Sequence, residues 1–145
     1  MKTVRDVLKE KGNQVWSISA DASVHDALKL MAEKGIGALV VLDGEDVAGI
    51  FSERDYAREV ELKGRTSRDT SVGDIMTRKV IYIEPDNTVE ECMAVMTHKR
   101  IRHLPVMDKN RLVGLVSIGD IVKAVISEQQ FMIQRLEHYI TGAMG

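Results

Sequence analysis

The second half of this chain repeats the first, and the duplication constrains the fold more than any other feature of the sequence. When Val24 is placed over Val89, an offset of 89 − 24 = 65, the copies align without a gap for 33 positions, of which ten are identical. Composition alone would give roughly two identities. Before this block, residues 4–8 match residues 72–76 at an offset of 72 − 4 = 68. The sequence therefore predicts two copies of one structural unit.

Both copies carry the same pattern of apolar residues. Positions 24, 27, 28 and 31, and again 89, 92, 93 and 96, have the spacing of one helix face. An extended segment comes before each helix, and two short apolar strands joined by a polar turn come after it. A second helix is predicted to begin at Ser52 and Ser117. The predicted extended segments are 15–18 and 80–83, and the predicted strands are 38–42, 47–51, 103–107 and 112–116.

Each copy is thus predicted to be a β-α-β-β-α unit, which makes the fold class mixed α/β (α+β). One such unit leaves a face of its sheet uncovered, so two tandem units that cover each other form the stable module. The sequence predicts repeat 1 at residues 1–62, a polar linker at 63–71, repeat 2 at 72–127, and a C-terminal helix and tail at 128–145.

The final segment is longer than its counterpart in the first copy. Apolar residues continue beyond Asp120 with helical spacing as far as Ile140. Two interpretations stay open: this extended amphipathic helix packs on its own pair of repeats, or it contacts a second copy of the chain, because extra apolar surface often needs a partner.

Composition narrows the classes of function. A net charge of −2 gives no basic field that would attract nucleic acid or anionic lipid. The charged N-terminus lacks the apolar core of a signal peptide, and the longest apolar stretch is far too short for a bilayer. The single cysteine, Cys92, leaves no internal disulfide and favours a reducing compartment. We therefore expect a cytoplasmic protein with no membrane or nucleic-acid partner.

The repeated element that carries chemistry is Gly-x-x-Ser-x-x-Asp, at residues 49–55 and 114–120. It has two interpretations. A serine at a helix start with an acid three residues later is a capping box, which needs no ligand. The same geometry also suits a ribose phosphate, because the helix N-terminus and the hydroxyl attract phosphate and the carboxylate can accept both hydroxyls of a ribose diol. The strand starts at residues 36–39 and 101–105 would then border an adenine base.

These features together resemble the CBS-domain pair, also called the Bateman module. The resemblance covers about residues 4–127 and rests on the twofold unit, the two Gly-x-x-Ser-x-x-Asp elements, residues 74–77 and residues 100–106. The chain is similar to the regulatory insert of IMP dehydrogenase and to stand-alone bacterial CBS proteins. The resemblance implies two tandem CBS repeats related by a pseudo-twofold axis, a homodimer of pairs, and a regulatory role in signal transduction.

The resemblance also implies an adenosyl ligand, such as AMP, ADP, ATP, NAD or S-adenosylmethionine, bound in two clefts between the repeats. Asp55 and Asp120 would hold ribose, Ser52 and Ser117 would hold phosphate, and the remaining site residues would border the base or the phosphates. Those residues are Trp16, Ile18, Ile36, Gly37, Ala38, Arg54, Met76, Thr77, Arg78, Val80, Ile81, Tyr82, Ile101, Arg102, His103 and Pro105. Copy one has Gly37 and Ala38 where copy two has Arg102 and His103.

Other signals are weaker. Arg102 and His103 are either part of a solvated basic face or ligands of a phosphate. Arg54 lies on the first turn of a predicted helix, where a cation opposes the helix dipole, so it is expected to be balanced by an anion such as a phosphate or by a carboxylate. Cys92 occupies the core position that Ala27 holds in copy one, and the histidines lack the spacing of a zinc site, so no metal is expected. No nucleophile is paired with a base, so no enzyme activity and no catalytic cofactor are expected. The alternative to a nucleotide sensor is a structural module whose clefts are empty and which binds an unknown protein target.

Overall fold

The computed structural model describes residues 1–141, and the predicted tail at 142–145 lies outside the described residues. The chain divides into two compact units. The first, here called the middle unit, contains residues 14–81. The second, called the split unit, joins residues 1–13 to the described chain from Tyr82 onward. The domain limits expected from the sequence repeat stay a prediction, because each compact unit combines the sheet of one repeat with the opening segment of the other.

The middle unit is built on a three-stranded sheet. Its order is β1-β2-β3, with β1 parallel to β2 and β2 antiparallel to β3. A parallel pair needs a crossover, and a helix supplies it between β1 and β2. The elements of the sheet are β1 (Ser17–Ser19), β2 (Ala38–Asp43) and β3 (Asp46–Ser52), and the crossover helix, α2, is Val24–Lys34.

Three further helical segments complete this part of the chain. α3 (Glu53–Tyr56) runs into a π-helical segment (Ala57–Glu61), and α4 (Val72–Ile75) follows the linker. Apolar side chains of α2, the sheet and these segments form one core. Its buried members are Val24, Ala27, Met31, Leu39, Val41, Phe51, Val60, Val72, Ile75 and Met76.

The split unit is built on a two-stranded antiparallel sheet, β4 (His103–Asp108) with β5 (Arg111–Ser117). Its helices are α1 (Val4–Lys11), α5 (Val89–Lys99) and α6 (Ile118–Thr141). The first turns of α6 pack beside α5 and α1. The buried apolar side chains include Val4, Val7, Leu8, Val89, Cys92, Met96, Leu104, Val106, Val116, Ile121 and Ala124.

The glycine of each repeated motif makes room for a neighbouring segment. A Cβ added at Gly49 on β3 would lie 2.7 Å from the Thr77 carbonyl oxygen and 2.8 Å from the Met76 sulfur. A Cβ at Gly114 on β5 would lie 2.6 Å from a Leu8 methyl carbon. Leu8 and Met76 occupy equivalent places in the repeat. The two glycines are therefore needed because a segment from the opposite sequence repeat packs directly over each strand.

The predicted pattern of elements is confirmed, with one difference in detail. The extended segment at 15–18 becomes β1, but the segment at 80–83 contributes a single parallel bridge between Ile83 and Val106. In that bridge the Ile83 amide donates to the Pro105 carbonyl, and the Met107 amide donates to the Ile83 carbonyl. Pro85 comes two residues later and has no N–H with which to extend a ladder.

The long C-terminal helix is also confirmed, as α6. Only its first two turns have buried side chains, at Ile121 and Ala124, whereas the large apolar side chains farther along are exposed. Within residues 1–141, no helix combines the length and the hydropathy that crossing a bilayer requires.

Candidate functional site

Both repeated serine–aspartate pairs lie where a strand ends and a helix begins, and both form a capping interaction. In the middle unit the Ser52 amide donates to Asp55 Oδ2 at 2.9 Å, and the Asp55 amide donates to Ser52 Oγ at 3.2 Å. In the split unit the Ser117 amide donates to Asp120 Oδ2 at 2.8 Å, and the Asp120 amide donates to Ser117 Oγ at 3.2 Å. The capping interpretation is therefore confirmed in both copies.

Capping leaves the two carboxylates with different neighbours. In the middle unit, the Thr77 hydroxyl donates to Asp55 Oδ1 at 3.1 Å, and the Ser52 hydroxyl adds a contact to Oδ2 at 3.1 Å. Thr77 is held there because its amide and carbonyl pair with Ile50 of β3. Within residues 1–141, the Asp55 carboxylate thus accepts three hydrogen bonds, all from neutral donors.

In the split unit the additional neighbour is a cation. The Lys11 ammonium lies 2.6 Å from Asp120 Oδ2, and it also donates to the Leu115 carbonyl at 2.5 Å. Lys11 is the last residue of α1, and its side chain reaches over β5 to the start of α6. Across residues 1–141, every hydrogen bond to the Asp120 side chain reaches Oδ2. Oδ1 therefore keeps its acceptor positions for another donor.

The surroundings of Asp120 favour its charged form. Partial burial works to raise the pKa of this carboxyl, but the Lys11 ammonium and the Ser117 amide and hydroxyl outweigh burial, so the pKa lies below its ordinary value. Asp120 is consequently ionised at neutral pH, and it forms an ion pair with Lys11.

His103, at the start of β4, pairs with Ser117 across the strands. Burial and the nearby charge of Lys11 lower the pKa of His103, against the opposing effect of Asp120, and Arg102 lowers it further. His103 is therefore neutral near pH 7 and brings no charge to an anion. Arg102 is exposed, and its carbonyl accepts the Ile118 amide at the start of α6.

Several residues of the segments expected to border a base already make contacts within their own unit. The Lys34 ammonium lies 4.2 Å from the centre of the Trp16 ring, and the Gly37 carbonyl accepts the Glu53 amide at the start of α3. Arg78 donates to the Gly73 carbonyl at 2.8 Å, so its guanidinium already has a partner. Tyr82 is 58% exposed, whereas Pro105 is buried inside β4.

The two units divide the predicted site residues between them. Hydrogen bonds join Ser52, Asp55 and Thr77 in one unit and Ser117 with Asp120 in the other. The middle unit holds Trp16, Ile18, Ile36, Gly37, Ala38, Ser52, Arg54, Asp55, Met76, Thr77, Arg78, Val80 and Ile81, and the split unit holds Tyr82, Ile101, Arg102, His103, Pro105, Ser117 and Asp120.

Lys11 is the polar neighbour that the sequence analysis missed. Its contact joins residues 109 positions apart, which no local pattern reports. The repeat contained a signal, however. Thr77 follows the 72–76 segment, so the matching segment at residues 4–8 implies that the chain just after it, where Lys11 lies, approaches the second motif.

Two other kinds of site concern residues 1–141: a metal centre and a surface depression. No group of three or more histidine, cysteine or acidic side chains has a geometry that could hold a metal ion. An open depression of about 570 Å³ in the middle unit is lined by Arg65, Thr66, Asp69, Thr70 and Asp74. It includes none of the predicted site residues, and its lining lacks the apolar walls that a base requires.

Comparison with known proteins follows the same repeat. The family model described as the CBS domain matches residues 4–62 and 72–127. The CBS domain-containing protein CBSX3, mitochondrial, of Arabidopsis thaliana is 43% identical over 97% of this chain and 72% of its own length. The inosine-5'-monophosphate dehydrogenase of Methanocaldococcus jannaschii is 33% identical over 75% of this chain and 21% of its own length.

Solved structures agree in fold. A protein with CBS domains from Burkholderia ambifaria superposes with a TM-score of 0.85 at 54% identity, covering 88% of this chain and 96% of its own. The CBS domain pair of protein MJ0100 was crystallised with 5-methylthioadenosine and S-adenosyl-L-methionine. It superposes with a TM-score of 0.78 at 25% identity, covering 88% of this chain and 98% of its own.

Proposed function

Because this chain belongs to the CBS-domain family, we propose that it is a non-catalytic regulatory module that binds an adenosyl ligand, with Asp55 and Asp120 accepting hydrogen bonds from ribose hydroxyls. The observation that carries the proposal is the state of Asp120. This carboxylate is fixed at the start of a helix, is ionised at neutral pH, and keeps Oδ1 open to a further donor. A sugar hydroxyl is a donor of the required kind.

Positively charged side chains, and not the neutral His103, would bind the phosphate of the ligand. The Lys11 ammonium and the exposed Arg102 flank the start of α6, where the helix dipole also favours an anion. His103 is neutral there, so its part in the proposal is limited to hydrogen bonding and shape. Arg54 on the first turn of α3 is the corresponding cation in the middle unit.

The ligand class is proposed as an adenine nucleotide, meaning AMP, ADP, ATP or NAD, with S-adenosylmethionine as the alternative. The alternative is supported by the complex of the MJ0100 pair. The proposal also includes a homodimer of CBS pairs, a cytoplasmic location, and an unknown protein target whose activity the ligand regulates.

A second function is favoured by a specific observation. Both motif acids cap their own helices, so each one already has a structural role without any ligand. A structural interaction module with empty clefts is consistent with that observation. Ligand titration separates the two functions.

The test is a calorimetric titration and a thermal-shift series with AMP, ADP, ATP, NAD and S-adenosylmethionine. A ligand present at one hundred times its dissociation constant should stabilise the chain by about 2.7 kcal/mol. Asp120→Asn and Asp55→Asn should each weaken binding by roughly 10- to 150-fold, which corresponds to about 1.5–3 kcal/mol for a charge-assisted hydrogen bond.

The matched control is Glu91→Gln. Glu91 forms the same capping box with Thr88 on α5, outside the repeated motif. Glutamine at this position, like asparagine at the motif positions, keeps an amide oxygen that accepts the capping N–H. The variant should therefore change stability little, as the motif variants do, and should keep full affinity for the ligand. Equal affinities for the Asp120, Asp55 and Glu91 variants would contradict the ribose role. Absence of binding by all five compounds would favour the interaction module.

A further inference from the structure

The distal part of α6 carries a long exposed apolar face. Beyond Val125, which is only partly exposed, the large apolar side chains of this face are about half or more exposed: Ile126 at 49%, Met132 at 57%, Ile133 at 53%, Leu136 at 57%, Tyr139 at 75% and Ile140 at 79%. Phe131, which is 58% exposed, lies outside this face. Val122, one turn before Ile126, is 48% exposed. A face of this size, running along a helix of 24 residues, is the pattern of a surface that pairs with another helix.

The spacing of the residues along this face of α6 defines how the face would pair with another helix. Steps of alternately three and four residues lead from Val122 through Val125, Gln129, Met132 and Leu136 to Tyr139, which is the seam of a coiled coil. We call these six positions the α6 seam. One edge of the seam carries Ile126, Ile133 and Ile140, each seven residues from the next. The isoleucine edge widens the seam into a bundle-type face.

The opposite edge of the seam carries charges that complement each other. Glu128 and Arg135 lie seven residues apart on this edge, between the seam and the polar face. Arg135 is held on that side by its own helix, because its guanidinium carbon lies 5.8 Å from the centre of the Phe131 ring. A twofold axis between these positions would place each of the two charges opposite its counterpart.

We propose that α6 pairs with α6 of a second copy of this chain, antiparallel and about a twofold axis that crosses the seam between Gln129 and Met132. Val122 then lies level with Tyr139 of the second copy, Val125 with Leu136, and Gln129 with Met132. On the charged edge, Glu128 of each copy faces Arg135 of the other. On the isoleucine edge, Ile126 of each copy faces Ile133 of the other.

A parallel pair fits these side chains less well. Parallel pairing brings the charged edge of one helix against the isoleucine edge of the other, so Glu128 would face Ile133 and Arg135 would face Ile140. Antiparallel pairing joins like edges, which unites the isoleucines and pairs opposite charges. Gln129 is the one polar member of the seam, and a polar residue at such a position fixes register at some cost in affinity.

The first experiment measures oligomeric state by sedimentation velocity and native mass spectrometry on the full chain. The wild type should be a dimer. Met132→Glu places a charge in the middle of the seam and should raise the dissociation constant more than tenfold. The matched control is Gln134→Glu, which adds the same charge on the opposite, exposed face of α6 and should leave the dimer intact. A monomeric wild type, or a dimer that survives Met132→Glu, overturns the proposal.

The second experiment tests the charged edge. Glu128→Arg and Arg135→Glu each create two like-charged contacts across the twofold axis and should weaken the dimer, most strongly at low salt. The double variant Glu128→Arg with Arg135→Glu exchanges the charges and should restore the wild-type dissociation constant. Far-ultraviolet circular dichroism confirms that each variant is folded. Failure of the double variant to restore pairing rejects the antiparallel register.

The third experiment reads the helix direction directly. Val125 of one copy would be level with Leu136 of the other and about 16 Å along the axis from the other copy's Val125, at 1.5 Å per residue. With a short bismaleimide, Val125→Cys and Leu136→Cys should cross-link when mixed, and neither should cross-link alone. The native Cys92 stays unreactive because burial raises the pKa of its thiol to about 11. Cross-linking of Val125→Cys alone would show a parallel pair.

Discussion

At the scale of single residues, the two copies of the Gly-x-x-Ser-x-x-Asp motif differ in the groups that surround their aspartates. Asp55 accepts hydrogen bonds from neutral hydroxyl and amide groups, whereas Asp120 adds an ion pair with Lys11. The helix caps are the same in both copies, so the difference comes from the segment that approaches each carboxylate. The copies of a repeat can thus retain one fold and differ in what their acids offer to a ligand.

The ion pair makes a prediction about pH. Lys11→Gln should lower the free energy of unfolding at pH 7 by up to about 1 kcal/mol, the range for a partly exposed pair. Asp120 has a lowered pKa in the folded state, so its contribution is present above the unfolded pKa and is lost as the pH falls through the folded pKa. The difference between wild type and variant should therefore shrink below about pH 4. Urea unfolding at a series of pH values measures it.

The control for this prediction is Lys9→Gln, which removes a charge from the same helix without breaking the ion pair. Its effect should be smaller than that of Lys11→Gln at pH 7. A Lys11→Gln penalty that persists unchanged below the folded pKa of Asp120 would mean that Lys11 stabilises the fold by packing rather than by charge.

Some of these residue-level features could be predicted from the sequence. Ser52, Asp55, Ser117 and Asp120 could be found, because a cap is a local arrangement with a fixed spacing of three residues. The Lys11 contact could not be derived from spacing, because it depends on which face of the distant strand β5 the α1 helix covers. The neutral state of His103 was missed for a similar reason, since it follows from burial and from that same lysine.

At the scale of elements, the two motif strands are shaped by what crosses over them. Gly49 on β3 lies against the backbone at Thr77, and Gly114 on β5 lies against the side chain of Leu8. The Thr77 carbonyl cannot move without breaking the hydrogen bond that it accepts from the Ile50 amide, whereas a leucine methyl can rotate away. The same substitution should therefore have unequal effects at the two positions.

Alanine at each glycine tests this difference. Gly49→Ala should destabilise the chain by about 2–3 kcal/mol, and Gly114→Ala by about 1 kcal/mol, within the range for an overpacked core. Urea midpoints at constant slope measure both values. If Gly114→Ala proves the more harmful, then the leucine at position 8 cannot shift and the explanation from side-chain flexibility is wrong.

The helices and strands themselves were largely predictable. Periodicity placed α2 and α5 over the same stretches that the structure shows, because an apolar face repeated every 3.6 residues has few alternatives. The segment at 80–83 was harder, because a short extended piece becomes a strand only if a neighbour offers a matching edge. The π-helical segment after α3 left no signal in the pattern.

At the scale of the whole molecule, the boundaries of the two sequence repeats do not coincide with the boundaries of the two compact units. Leu8 is 5% exposed and completes the core of the split unit, and Met76 is 8% exposed and completes the core of the middle unit. Sequence reasoning predicted that two copies form one module. It could not predict which opening segment covers which sheet, because an apolar pattern shows that a face is buried without showing against what.

Each compact unit combines the sheet of one repeat with the opening segment of the other, and this arrangement leads to a prediction about local stability. Leu8→Ala should destabilise the chain by about 2–5 kcal/mol, the range for a buried leucine, and should expose the amides of β4 and β5 to hydrogen exchange more than those of β2 and β3. Met76→Ala should show the reverse order. Exchange mass spectrometry of both variants checks this. Loss of protection in the sheet of the same sequence repeat would contradict the assignment of segments to units.

During translation, the two parts of the split unit are synthesised at different times. Helix α1 is synthesised before the rest of the split unit, yet strand β5 and helix α6, which pack against it, follow about one hundred residues later. Residues 14–81 form a contiguous stretch and can complete their core during that interval. The apolar face of the amphipathic helix α1 therefore stays without its partners until the second sheet has been synthesised.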